Sequence, residues 1–210
     1  MNKLLKKFKV IITVCLLAFL CTLVFAQDAD MKARIKSEAQ ILSTAMETGD
    51  YEKAASRLPS ELLEKSGGIA GLKQSMEQAK GKSIKDTPHQ VIGEVSSIAI
   101  AGQFTVAIVN TSMKVGSGAD IAFVKSYMVG ISKDNGDNWV FLNGSDSVKE
   151  RLIRKNPELA TTLTFPVRVM TTGGSTYSEV NGRWIPDEKT YQDMKGTVER
   201  LRNGQTKGGR

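Results

Sequence analysis

Two stretches decide the fold: residues 90–115, QVIGEVSSIAIAGQFTVAIVNTSMKV, and residues 121–143, IAFVKSYMVGISKDNGDNWVFLN. From residue 90 the hydrophobic period falls to 2 and β-branched side chains dominate, which predicts strands over 90–101, 103–115, 121–132 and 138–143. The connectors Ala101-Gly102, Gly116-Ser117-Gly118 and Asp134-Asn135-Gly136 supply residues that tolerate positive φ, so the four strands read as an antiparallel meander. In the third strand one face carries Ile121, Phe123, Lys125, Tyr127, Val129 and Ile131 and the other Ala122, Val124, Ser126, Met128 and Gly130. Both faces are largely apolar, so this strand is expected to be covered on both sides.

Working toward the N-terminus, the period before the sheet is that of helices. Met31, Ile35, Ala39, Leu42, Ala45 and Met46 recur at steps of three and four over 28–48, and Gly49 ends the run. Asp50 caps a second helical stretch through Leu58, Pro59-Ser60 opens another turn carrying Leu62 and Leu63, and after Gly67-Gly68 the residues Ile69, Leu72, Met76 and Ala79 form the stripe of a third helix ending at Gly81. The fold class is therefore α+β: N-terminal helices packed on a curved antiparallel sheet, followed by a C-terminal extension. The domain reading is 1–26 signal peptide, 27–145 cone-like domain, 146–210 extension. In the extension Ser147-Val148-Lys149-Glu150 fits a capping box, Leu163 to Met170 is strand-like, Asn181-Gly182 is a hairpin turn, and 188–202 is a helix with Tyr191, Met194, Val198 and Leu201 on one side. Its last eight residues read as a disordered basic end.

The first 26 residues assign a compartment. Lys3, Lys6, Lys7 and Lys9 precede an apolar run from Val10 that closes in Val24-Phe25-Ala26, the order of a secretory signal peptide cleaved after Ala26. The localisation implied is periplasmic or secreted, with membrane contact only through the leader if it stays uncleaved. Both cysteines, Cys15 and Cys21, lie in that leader, so the exported chain is stable by burial alone.

The formal charge is +7, of which the leader contributes four, leaving +3 beyond Ala26. Residues 27–145 hold 13 basic and 14 acidic side chains, whereas 146–210 hold 12 and 8. A neutral body argues against a nucleic-acid partner, which needs clustered cations. His89 is the one histidine, no G-x-S-x-G turn occurs, and no cysteine or histidine set has metal spacing. No cofactor and no catalytic residue is indicated, and the pattern points to binding rather than catalysis.

Ser132-Lys133-Asp134-Asn135-Gly136-Asp137-Asn138-Trp139 satisfies S-x-D-x-G-x-x-W and resembles the Asp-box hairpin of sialidase-like propellers. A propeller needs several blades, so a single copy marks a structural turn made by Ser132, Asp134, Gly136 and Trp139. The element order, the junction Gly49-Asp50-Tyr51-Glu52-Lys53-Ala54 and the late hairpin ending in Trp139-Val140-Phe141-Leu142 together resemble the nuclear transport factor 2-like superfamily over roughly 30–145. That resemblance implies a sheet bent around a cone-shaped cavity. It also implies either an enzyme acting on a small hydrophobic molecule or an exported, non-catalytic binder.

On that reading the cavity takes a small apolar or anionic ligand, with Phe104, Val106, Ile108, Phe123 and Phe141 as walls and Lys125 and Tyr127 as polar contacts. The partner is an envelope protein or such a ligand. The alternatives are an enzyme on the same fold, and a structural envelope protein whose cavity is filled by Leu163, Phe165, Val167, Trp184 or Tyr191 of its own extension.

Overall fold

A computed structural model describes residues 28–83, 90–116 and 121–205; side chains are described except at 79–83 and 200–205. The leader, His89, the turn at Ser117-Gly118 and the final five residues lie outside the described residues. Helices lead and an open antiparallel sheet follows, so the class is α+β.

Helix α1 spans 28–48, and its three-and-four stripe places Ile35, Ala39, Leu42 and Ala45 fully inside. Gly49, at φ +80°, ends it, and the Asp50 carboxylate accepts from Lys53 N at 3.1 Å to cap α2 (Tyr51–Ala55). Pro59 precedes α3 (Ser60–Lys65), and α4 (Gly68–Ser83) follows. Among the described side chains α4 meets the core at its edge through Leu72, next to Leu58 of the turn that precedes α3.

The sheet is built on a meander of β1 (Gln90–Ala101), β2 (Phe104–Val115) and β3 (Ala122–Ser132), with β4 (Val140–Asn143) returning beside β3. Register shifts between Ile92 and Val95 and again between Val95 and Ser97 put two bulges in β1. Each bulge bends its strand and sharpens the twist. On the face under α1 lie Ile92, Val95, Ala107, Val109, Met128 and Phe141, closed by the helix stripe and Trp139. Phe141 N also donates to Arg57 O at 2.8 Å, which fastens β4 to the end of α2.

The extension is not an appendage to this sheet. The chain leaves the edge of β3 after Asn143, passes through α5 (Asp146–Lys155) and α6 (Leu159–Thr162), and returns to the same edge as β5 (Val169–Thr172). Strands β6 (Ser175–Val180) and β7 (Arg183–Pro186) extend the sheet to the order β1-β2-β3-β5-β6-β7, and α7 (Glu188–Gln205) closes the described chain. Two-residue turns at Gly173-Gly174 and Asn181-Gly182 join these strands, all four residues at positive φ as primed hairpin turns require.

Three details differ from the sequence reading. Residues 163–168 are irregular and the strand starts only at Val169. Ser145, not Ser147, caps α5, its Oγ accepting from Val148 N at 3.3 Å, because the chain turns two residues earlier at Gly144. Helix α7 continues to Gln205, so residues 203–205 are helical rather than part of a disordered end.

Candidate functional site

The Asp-box motif folds as one knot of hydrogen bonds. Ser132 Oγ donates to Asp134 Oδ1 at 2.7 Å and accepts from Gly136 N at 2.8 Å. Asp134 further accepts from Asn138 N at 2.9 Å and Asn138 Nδ2 at 2.6 Å. These donors, the Asn138 amide foremost, hold the Asp134 carboxyl down at about 2. Asn135 and Gly136 both take positive φ, and Trp139 Nε1 donates to Gly136 O at 3.0 Å with the indole buried. The hairpin then serves as a seat for α1: Met31 lies against Gly136 and Arg34 pairs with Asp137 at 3.3 Å. The Ser132, Asp134 and Trp139 side chains spend these hydrogen bonds on the turn itself, which gives them the work of holding the hairpin.

The seven residues proposed as a ligand cavity do not come together. Val106, Ile108 and Tyr127 face the side of the sheet away from α1, with Phe104 beside them, and are covered there by Leu159, Leu163 and Phe165. Phe141 lies on the opposite face, under α1. Phe123 is 58% exposed and Lys125 is exposed. The hollow expected to admit a ligand is, over its inner half, filled by the protein's own α6 and the segment after it. The Tyr127 and Phe165 rings meet edge to face with centroids 6.1 Å apart. Burial pushes the Tyr127 phenol up to about 12, so it stays neutral, and its hydroxyl donates to Ser145 O at 3.4 Å. Tyr127 is therefore a packing residue.

The outer half of the same face stays open. Register places Val91, Ser112, Lys125, Val169, Ser178 and Ile185 side by side across six strands. Beside Lys125 the surface sinks into a groove of about 330 Å³ lined by Gly93, Asn110, Ser112, Pro166, Val167 and Val169, among others. No ion pair holds the Lys125 ammonium among the described residues. Gly93 sits in the β1 bulge, and a Cβ added there would come within 3.1 Å of the Asn110 carbonyl oxygen, so a side chain would crowd β2 beside the groove. The groove is shallow and mainly apolar, with the Lys125 ammonium, the Asn110 amide and the Ser112 hydroxyl among the groups able to orient an anion.

One wall is fixed by a row that sequence reasoning missed. Arg168 Nε donates to Ser126 Oγ at 3.0 Å, its Nη1 pairs with Glu179, and the guanidinium lies 5.6 Å from the Trp184 ring centre. This row clamps β5, β6 and β7 to β3 where β4 has already left the edge. Asn110 and Val169 were missed too, and no sequence signal marks them; Val167, expected only as a filler of the cavity, instead lines the groove, because the return of β5 to β3 brings it and Val169 beside Lys125. A second hollow, of about 360 Å³, opens on the solvent side of α1 near Gln40 and Lys53, where Lys36 is already paired with Glu94 at 2.5 Å.

Among the described residues no three His, Cys, Asp or Glu side chains gather as a metal site, and no helix is long and apolar enough to cross a membrane. Comparison with family models, with curated proteins and with solved structures found no match.

Proposed function

We propose that this chain is a non-catalytic binding or interaction module of the bacterial cell envelope, exported by its leader, that seats the anionic end of an apolar ligand in the groove beside Lys125. One observation carries the reading: the second face of the sheet is divided, its inner half closed by Leu159, Leu163 and Phe165 and its outer half open around an ammonium that no described residue pairs. An ammonium stem flanked by Val167 and Val169 offers apolar contact along its length and charge at its tip, which suits an amphiphile better than a wholly polar solute. Kinship with the nuclear transport factor 2-like superfamily belongs to the same proposal. Relative to that resemblance, the binding place moves from the cone's interior to its uncovered rim.

Titration with decanoate, followed by amide chemical shifts, tests this. The reading expects shifts confined to Gly93, Asn110, Lys125 and Val169 and roughly tenfold weaker binding in Lys125→Met, the size of one charge-assisted contact. Binding unchanged in Lys125→Met would remove it. The filled inner half also favours a second reading, a purely structural envelope protein, and a groove indifferent to decanoate and to other carboxylate amphiphiles would leave that one standing. Native mass spectrometry of the protein from its own periplasm checks export separately, since it expects a chain starting at Gln27.

A further inference from the structure

The strands that form the open outer half of the second face turn their cations outward and their acids elsewhere. Phe123 and Lys125 precede Tyr127 on β3 at steps of two and share its face; register brings Lys114 of β2 and, through Val169 and Ser178, Ile185 of β7 to the same side. Val180 and Arg183, opposite each other at the hairpin end, follow at further steps of two. Lys114, Lys125 and Arg183 are exposed, and no described residue forms an ion pair with any of them. Val91, Phe123, Val167, Val180 and Ile185 stand among them, 45% to 61% exposed. Of the nearby acids, Glu94 pairs with Lys36 of α1 and Glu179 with Arg168, while Asp187, just past β7, accepts from Thr190 N at 2.8 Å.

Charge divides the whole molecule the same way. Helices α1 to α4, which belong to the first face, hold nine acids and nine bases. The open half with α5 and α6 holds seven bases and four acids, Asp120 of the turn outside the described residues counted among the acids. Residues 187–210 add six bases and four acids, so nothing in the C-terminal stretch reverses the sign. We propose that the open half docks on an anionic lipid bilayer, with Lys114 and Lys125 at the phosphates and Phe123 in the boundary between headgroups and acyl chains. This rests on the reading that the Lys125 side is the binding side, and it commits the anion there to a membrane lipid. Lys114 stands opposite Phe123, and Lys125 follows two residues on, so the three make one patch. Cations and apolar side chains are interspersed across it, which suits a boundary of phosphates and acyl chains. The footprint of a protein partner gathers its apolar side chains in a core inside a polar rim instead.

Cosedimentation of the exported protein with vesicles tests it, using equal parts phosphatidylglycerol and phosphatidylcholine against phosphatidylcholine alone. The expected result is binding to the anionic vesicles only, lost as salt rises from about 50 to about 500 mM. Each cation removed costs about fivefold in affinity, so Lys114→Gln weakens binding about fivefold and Lys114→Gln with Lys125→Gln about twenty-five-fold. Phe123→Asp weakens it about tenfold. Lys114, Lys125 and Phe123 are exposed, so circular dichroism and the urea midpoint of these variants stay those of the parent. Ile100→Asp, on the first face and 76% exposed, leaves binding unchanged. Equal binding to phosphatidylcholine vesicles, or binding indifferent to Lys114→Gln and Phe123→Asp, overturns the proposal. So does capture on immobilised polyglutamate without vesicle binding, since the face would then belong to an acidic protein. Decanoate shifts in the groove without vesicle binding overturn this inference alone, whereas loss of both removes the reading beneath it as well.

Discussion

Leu159→Ala isolates the contribution of the extension to the sheet. Leu159 is completely buried on α6, against Ala99, Val106, Ile108 and Val129 of the second face. The substitution removes three carbons, about 2.4 kcal/mol at about 0.8 kcal/mol per methylene, and the hole left behind brings the loss to about 3 kcal/mol. With a urea slope of about 2 kcal/mol/M the midpoint falls by about 1.5 M, and Tm falls by about 6 to 12 °C for a chain of this size. Because β5 to β7 belong to the same sheet as β1 to β4, a single transition is expected, with fluorescence and circular dichroism coincident. Leu62→Ala is the control: Leu62 is 44% exposed on α3, and its loss stays within about 0.5 kcal/mol. A Leu159→Ala midpoint shifted no further than that of Leu62→Ala would refute the packing of α6 on the sheet.

Three further outcomes follow from named contacts. Gly144→Ala places a methyl 2.4 Å from the Tyr127 ring and 2.6 Å from its carbonyl oxygen, so one of them must move, at a cost of about 2 to 4 kcal/mol in urea unfolding and a changed near-ultraviolet tyrosine signal. Arg168→Met strands Glu179, whose side chain is 11% exposed, and costs about 2 to 3 kcal/mol, with amide exchange in β5 to β7 rising more than in β1 and β2. Asp134, held below its usual 3.8, stabilises the hairpin fully above about pH 4 and loses that contribution as pH falls through about 2; acid titration therefore brings the stabilities of parent and Asp134→Ala together over that interval and leaves them constant near neutrality.

The switch of hydrophobic period at residue 90, the glycine-rich turns and the Asp-box were legible because each is local: a few residues set their own backbone. The stripe of α1 was equally plain, since Ile35, Ala39, Leu42 and Ala45 state their common face by spacing alone. What the second face would meet was not legible. Alternation puts Lys125, Tyr127 and Val129 together, but whether tail or solvent lies over them depends on where α5 and α6 carry the chain between Asn143 and Val169, and no periodicity encodes that path. Phe141 was assigned to the wrong company for a related reason. Its face follows from pairing opposite Gly130, across the long Asp-box turn, so parity cannot simply be carried over from β3. The bulges in β1 were hidden too, because Gly93 and Ser96 read as ordinary strand residues until their partners in β2 are known.

The central claim is that the extension folds back over the sheet and fills its inner hollow. Nuclear Overhauser contacts between the Tyr127 and Phe165 rings of the uniformly labelled protein test it most directly. The account predicts clear cross-peaks, as rings 6.1 Å apart between centroids require. Sharp, averaged Phe165 signals with no contact to Tyr127 would show the hollow open and contradict it.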